Sequence, residues 1–201
     1  MFKPLPKLGD SGAWTSNGMV SEEDVRNSLA ETKRLYSIYE QKLESATAEY
    51  SERSHVSFSE KHVADLARIQ VILLSAMFLE GAVNAWGVKV VGEDFFKTHI
   101  ERMKIESKVA ILLALSGNGC IPNNHDSLKA LRSLFDRRNQ LVHRKTKEIK
   151  FPPSEAQFQS NNAEYDLSLC ESGINKFRKL ISHLDYFSFL QMGFLSEDEA
   201  L

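Results

Sequence analysis

The stretch IQVILLSAMFLEGAVNAWGVKVV, residues 69–91, decides the fold. It is the most apolar part of the chain, interrupted by Gln70, Glu80, Asn84 and Lys89. A membrane-crossing helix needs about 20 consecutive, predominantly apolar residues, and these interruptions make the segment too polar for that role. It reads as the core helix of a folded domain, running from residue 59 to about residue 86. Val63, Leu66, Leu73 and Met77 form a stripe at helical spacing that continues through Glu80 and Asn84. Two polar groups therefore stand in line with expected core residues. A carboxylate on an apolar face is costly unless paired. Glu80 and Asn84 are expected either to form a network that supports a neighbouring functional side chain or to be a satisfied internal pair that fixes helix register.

Upstream, Ser21 is a capping residue followed by Glu22, Glu23 and Asp24, acids that suit the first turn of a helix. Val25, Leu29, Thr32, Tyr36, Tyr39 and Leu43 then follow at alternating steps of four and three, a face that continues to Ala46 and Tyr50 and must pack on something. Downstream, Gly87 and Gly92 loosen the chain, and residues 94–115 read as a third helix closed by Ser116-Gly117-Asn118-Gly119. A fourth helix starts within residues 123–127 and reaches about His143, with Leu128, Leu131, Leu134, Phe135, Leu141 and Val142 apolar. Pro152-Pro153 stops any continuation. Residues 152–164 are polar and read as a loop, and a fifth helix spans 165 to about 190 on Leu169, Ile174, Phe177, Ile181, Leu184 and Phe187.

No strand pattern, internal repeat or low-complexity tract is evident. The expected fold is all-α, a helical bundle of about four main helices plus accessory helices. Residues 1–20 read as a flexible N-terminal segment, 21–192 as one helical domain and 193–201 as an acidic tail. A chain of 201 residues is long enough to bury one core without disulfides or metals.

Formal net charge is −2 and the isoelectric point about 6.3, so no global polycationic footprint drives nucleic-acid binding. The two cysteines, Cys120 and Cys170, show neither CxxC nor metal-ligand spacing, which fits a reducing cytoplasm. Residues 1–17 lack the apolar block and small-residue cleavage site of a signal peptide. A cytoplasmic protein without membrane contact is expected.

Against this acidic background, residues 129–150 carry eight cationic side chains and two acids, Asp136 and Glu148. Such a patch is a local footprint for a polyanion; cations on an exposed helix end give the same count and also favour the helix dipole. Inside it lies LFDRRNQLVHRKTKE, residues 134–148, where Arg138, Asn139 and His143 gather the ingredients of phosphate chemistry. Asn139 and His143 are four apart and share a helical face. Arg138 and His143 are five apart, about 140° round the axis. They converge fully if the helix ends there or if a second copy supplies the partner, and a homodimer with its two-fold axis beside the helix ends does the latter. The alternative is a helix terminus at which Arg138 pairs with an acid and His143 caps the last carbonyls.

With these residues in view, the chain resembles the HEPN superfamily, all-helical domains whose ribonuclease members carry Arg-x4-6-His with a polar residue after the Arg. The resemblance spans residues 59–145: FLEGAVNAW in the second helix, a downstream lysine, Lys108, in KIESKVAILLAL, then RNQLVH. It implies metal-independent and cofactor-free endonucleolytic cleavage of RNA, typically in toxins and antiviral defence, by a composite site at a dimer interface. In that reading His143 takes a proton from a ribose 2'-OH, Arg138 stabilises the phosphorane, and Asn139 holds the phosphate or orients the histidine. Arg137, Arg144, Lys145 and Lys147 would bind RNA, with Glu80, Asn84 and Lys108 as a supporting network. Lys108 taken alone reads more simply as a solvated lysine. The alternative function is a non-catalytic RNA-binding or protein-interaction module, and a toxin would imply a separately encoded antitoxin or regulatory protein.

Other features carry less. Gly9-Asp10-Ser11-Gly12 looks like a serine-protease nucleophile loop but stands in an N-terminal segment of a helical chain. His55, His62, His99, His125 and His183 make no compact zinc-ligand set. Neither GxxxxGK[ST] nor GxGxxG occurs. Tyr36, Tyr39 and Tyr50 could stack on bases, yet aromatics at helical spacing read first as packing residues.

Overall fold

The computed structural model describes residues 20–45, 50–117, 119–142 and 163–182, with the backbone alone at 45 and 50–58. Six α-helices follow in order: α1 (Glu22–Ser45), α2 (Tyr50–Val91), α3 (Glu93–Phe95), α4 (Ile105–Leu115), α5 (Asp126–Val142) and α6 (Ala163–Ile181). A π-helical turn, Phe96–Ile100, continues α3. Among the described residues there is no strand, so the all-α expectation holds. Ala46, the segment 1–19 and the tail 193–201 lie outside the described residues, as do Leu184 and Phe187 of the expected fifth helix.

Helix α1 begins as its sequence dictates. The Ser21 hydroxyl accepts from the Asp24 backbone N–H at 3.1 Å, and the Asp24 carboxylate accepts from the Ser21 N–H at 2.8 Å. This reciprocal cap satisfies two donors that a helix start leaves open. Val25, Leu29 and Thr32 are buried on the face that the spacing marks out, and α1 lies along α2. Glu22, in line with them, is fully buried and accepts from the Arg178 guanidinium of α6 at 2.6 Å. That ion pair ties the first helix to the last.

Helix α2 is the axis of the bundle, in contact with α1, α4, α5 and α6. By length and composition its 59–91 part is long and apolar enough to cross a membrane, contrary to the reading of its polar interruptions as disqualifying. Half of its most apolar window is buried inside the protein, as in a core helix. The stripe expected to be core is not. Val63, Leu66 and Met77 are about half exposed, and the buried face is instead Val71, Ile72, Leu79, Val83 and Trp86. A helix apolar on most sides offers several stripes of similar strength, and periodicity does not choose among them.

The helix also runs to Val91 rather than stopping near Trp86. Gly87 stays helical because the Phe96 ring lies against it: a β-carbon there would stand 2.2 Å from the ring. Gly92, at φ +84°, makes the actual stop, its N–H donating to the Val88 carbonyl at 2.9 Å. The single helix expected over 94–115 is broken. Lys104 is extended (φ −62°, ψ 147°) and α4 starts afresh at Ile105. The break lets Phe96, Ile100, Ile105 and Val109 all reach the core. Gly117 and Gly119, both at positive φ, flank the expected stop after α4.

Helix α5 is capped by His125, whose ring Nδ1 accepts from the Ser127 backbone N–H at 3.2 Å. Leu128, Leu131 and Leu134 bury against α2, α4 and α6. Leu169, Ile174, Phe177 and Ile181 of α6 complete the core, in the register the sequence gives them.

Candidate functional site

Successive residues of a helix point about 100° apart, so Arg137 and Arg138 at the end of α5 face different neighbours. Arg137 turns to α6. Its Nε and Nη2 each donate to the Asp166 carboxylate at 2.8 Å, and Arg68 of α2 stands 3.5 Å from the same carboxylate. Asp166 is fully buried. The network extends to Asp65, 3.5 Å from Arg68, which accepts from the Tyr36 hydroxyl at 2.6 Å. Burial and the Asp65 hydrogen bond hold the Tyr36 pKa well above the usual phenol range. At Asp65 burial pushes the pKa up, but the bonds from Tyr36 and Lys61 outweigh it and keep the carboxyl below its ordinary value. Arg137, expected to contact RNA, is therefore a tie between α5 and α6, because its guanidinium fork is committed to a buried carboxylate.

Arg138 turns to α2. Its Nη2 donates to Glu80 Oε2 at 3.0 Å and its Nη1 to the Asn139 side-chain oxygen at 3.0 Å, with the guanidinium 5.4 Å from the Phe135 ring centre. Glu80 and Asn84, one turn apart on α2, face the same side. Lys108 of α4 reaches between them: its Nζ donates to the Asn84 side-chain oxygen at 2.9 Å and lies 3.9 Å from Glu80 Oε1. The solvated-lysine reading is thereby corrected, since Lys108 is 1% exposed and sits 5.9 Å from the Phe96 ring centre. Burial pushes its pKa below the usual lysine value, and the Glu80 charge pulls it back up.

These groups line a cleft of about 240 Å³ between α5 and the 103–106 segment. Glu80, Lys108, Arg138 and Asn139, expected from the sequence, all contribute to it. Lys104, Arg132 and the acids Glu106 and Asp136 join them, Arg132 donating to Glu106 at 3.2 Å. The expected catalytic residue His143 follows directly on Val142 and lies outside the described residues, as do Arg144, Lys145 and Lys147.

Sequence reading missed Asp166, Arg68 and Glu22. Each had a signal: a charged residue in helical register with core positions, Asp166 with Cys170 and Gly173, Arg68 with Ala64 and Ile72, Glu22 with Val25 and Leu29. Arg132 was signalled only as one of the cations of the 129–150 patch, and Lys104 had no signal, because the break before α4 brings it to the cleft. Among the described residues no cluster of three His, Cys, Asp or Glu side chains is placed to hold a metal ion.

Chemically, the arrangement offers two partly exposed guanidinium groups, Arg132 on Glu106 and Arg138 held by a carboxylate and an amide, the latter backed by a buried ammonium. A fork of this kind suits a phosphate oxygen pair. No protein-family model, no curated protein and no solved structure matches the chain.

Proposed function

We propose that the protein is a metal-independent endoribonuclease of HEPN type, in which Arg138, Asn139 and His143 act on one phosphodiester of an RNA chain. The observation that carries this reading is the fixing of Arg138 at an open cleft by Glu80 and Asn139, five residues before His143 in the chain. In the proposed reaction the ribose 2'-oxygen attacks the adjacent phosphorus and His143 takes its proton. Arg138 stabilises the added negative charge. The bond from phosphorus to the 5'-oxygen breaks, that oxygen takes up a proton, and the products are a 2',3'-cyclic phosphate and a 5'-hydroxyl. DNA, lacking the nucleophile, is not cut. Arg144, Lys145 and Lys147 would hold the flanking backbone. The protein would work in the cytoplasm as a homodimer, as a toxin or antiviral effector under a separately encoded antitoxin or regulatory protein.

A second reading has an observation of its own. Glu80, Glu106 and Asp136 share the cleft lining with the cations, a mixed lining that fits a non-catalytic RNA-binding or protein-interaction module better than a strongly anionic substrate.

Inducible expression of the wild type and of His143→Ala in a bacterial host separates the two. The nuclease reading expects growth arrest and new 5'-hydroxyl RNA ends in the wild type, both lost in His143→Ala. Identical, benign behaviour of a well-folded wild type and variant favours the interaction module.

A further inference from the structure

Lys108 is a buried charge with little compensation. It is 1% exposed, its one close partner is the neutral Asn84 side chain at 2.9 Å, and the nearest carboxylate oxygen, Glu80 Oε1, stands 3.9 Å away. Glu101 acts on it only weakly, after burial and Glu80. A buried ammonium with a neutral partner and a loose counterion is poorly compensated. Glu80, by contrast, gives its other oxygen to Arg138 at 3.0 Å. The Glu80 side chain is 39% exposed and that of Arg138 28% exposed, so both have room to move, whereas Lys108 does not.

One carboxylate is thus shared between a partly exposed cation that faces the cleft and a buried cation behind it. From this we infer that Glu80 is an internal stand-in for a phosphate group on Arg138, and that Lys108 is the positioning residue that receives Glu80 when a phosphodiester takes its place. The inference rests on the proposed role of Arg138 and adds a second position for Glu80. A shift of roughly 1 Å brings Glu80 Oε1 within hydrogen-bond distance of Lys108 Nζ. The incoming phosphate then occupies the Nη2 donor of Arg138 that Glu80 leaves. The exchange keeps every charge paired: Arg138 passes from carboxylate to phosphate, and Lys108 gains the counterion it lacks.

The probe is a short, fluorescein-labelled 2'-O-methyl oligoribonucleotide, which carries the phosphodiesters but no free 2'-hydroxyl and so reports binding without cleavage. Removing the competing charge with Glu80→Gln tightens binding about two- to fivefold, the scale of a partly exposed ion pair. Lys108→Met leaves Glu80 held on Arg138 and weakens binding by a similar factor. In the double variant the effect of Lys108→Met disappears, a non-additivity that a merely structural lysine does not produce. So that the test does not depend on the folding of Lys108→Met, the wild type is also followed through its 15N-labelled lysine ammonium signals. Saturation with the probe slows proton exchange at Lys108 as its ion pair closes.

Equal or weaker binding by Glu80→Gln overturns the inference, as does a Lys108→Met effect of the same size with and without Glu80, or an unchanged Lys108 signal. Cleavage of unmodified RNA is read separately. Tighter binding by Glu80→Gln in a protein that never cuts RNA keeps the exchange and removes the nuclease. Cleavage with no tightening does the reverse.

Discussion

At the scale of single residues, the side chains that matter most to stability are charged ones placed among apolar neighbours. Asp166 is fully buried and receives the Arg137 guanidinium through two bonds of 2.8 Å, with Arg68 3.5 Å away. Breaking a buried pair by removing one charge leaves the others uncompensated and costs about 3–5 kcal/mol. Asp166→Asn is therefore expected to lower the unfolding free energy by an amount in that range, read in urea as a lower midpoint with the slope unchanged. A loss below about 1 kcal/mol, the scale of exposed pairs, would show that the network is effectively solvated. The cysteines give a second check on burial. Burial pushes the Cys170 thiol up to about 12, whereas Cys120 is exposed. A thiolate-directed reagent at pH 8 should modify Cys120 in the native protein and reach Cys170 only after unfolding. The same contrast shows what was legible in the sequence. Arg138 and Asn139 stood out by motif, but Arg137, one residue earlier, looked equally available until its helical direction met Asp166 on another element. A pairing across 29 residues leaves no trace in local spacing.

At the scale of elements, the starts and stops set by local chemistry were readable, whereas α2 begins at Tyr50, expected on the first helix, rather than at residue 59, and ends at Val91 rather than near Trp86. The Ser21/Asp24 cap and the glycines after α4 are where their sequences put them. The face of α2 was not readable, since its buried and exposed stripes are both apolar and the choice belongs to its neighbours. Nor was the break before α4, which no proline or glycine announces. Phe96, in the turn that precedes the break, packs on Gly87, and that contact can be tested. Alanine in a helix interior is ordinarily better than glycine by about 1 kcal/mol. At position 87 a β-carbon meets the buried Phe96 ring at 2.2 Å, and overpacking of this kind typically costs about 1–3 kcal/mol. Gly87→Ala should therefore destabilise the wild type, and the same change should be neutral or stabilising in a Phe96→Ala background. Equal effects in both backgrounds would mean that α3 and its π-turn do not seat on α2 as observed.

At the scale of the whole molecule, the placement of apolar surface bears on how a complete site is assembled. Met77 is exposed on α2 one turn from Glu80, Leu66 lines a groove with Leu141, and Val142 at the end of α5 is exposed as well. In the proposed dimer these exposed apolar side chains would be covered. A two-fold axis placed there would set the ends of two α5 helices side by side, which answers the 140° separation of Arg138 and His143 better than a single helix does. Two measurements decide it. Sedimentation should find a dimer, and Met77→Glu should shift it to monomer and remove RNA cleavage while its helical circular dichroism is kept. Then Arg138→Ala and His143→Ala proteins, each inactive, are mixed and allowed to exchange. If Arg138 works with His143 of the partner subunit, random pairing gives half mixed dimers with one intact site of two, so cleavage returns to about a quarter of the wild-type level. A mixture that stays inactive although mixed dimers form would place both residues of each site in one chain, and the dimer would then be a scaffold for the site without contributing a residue to it.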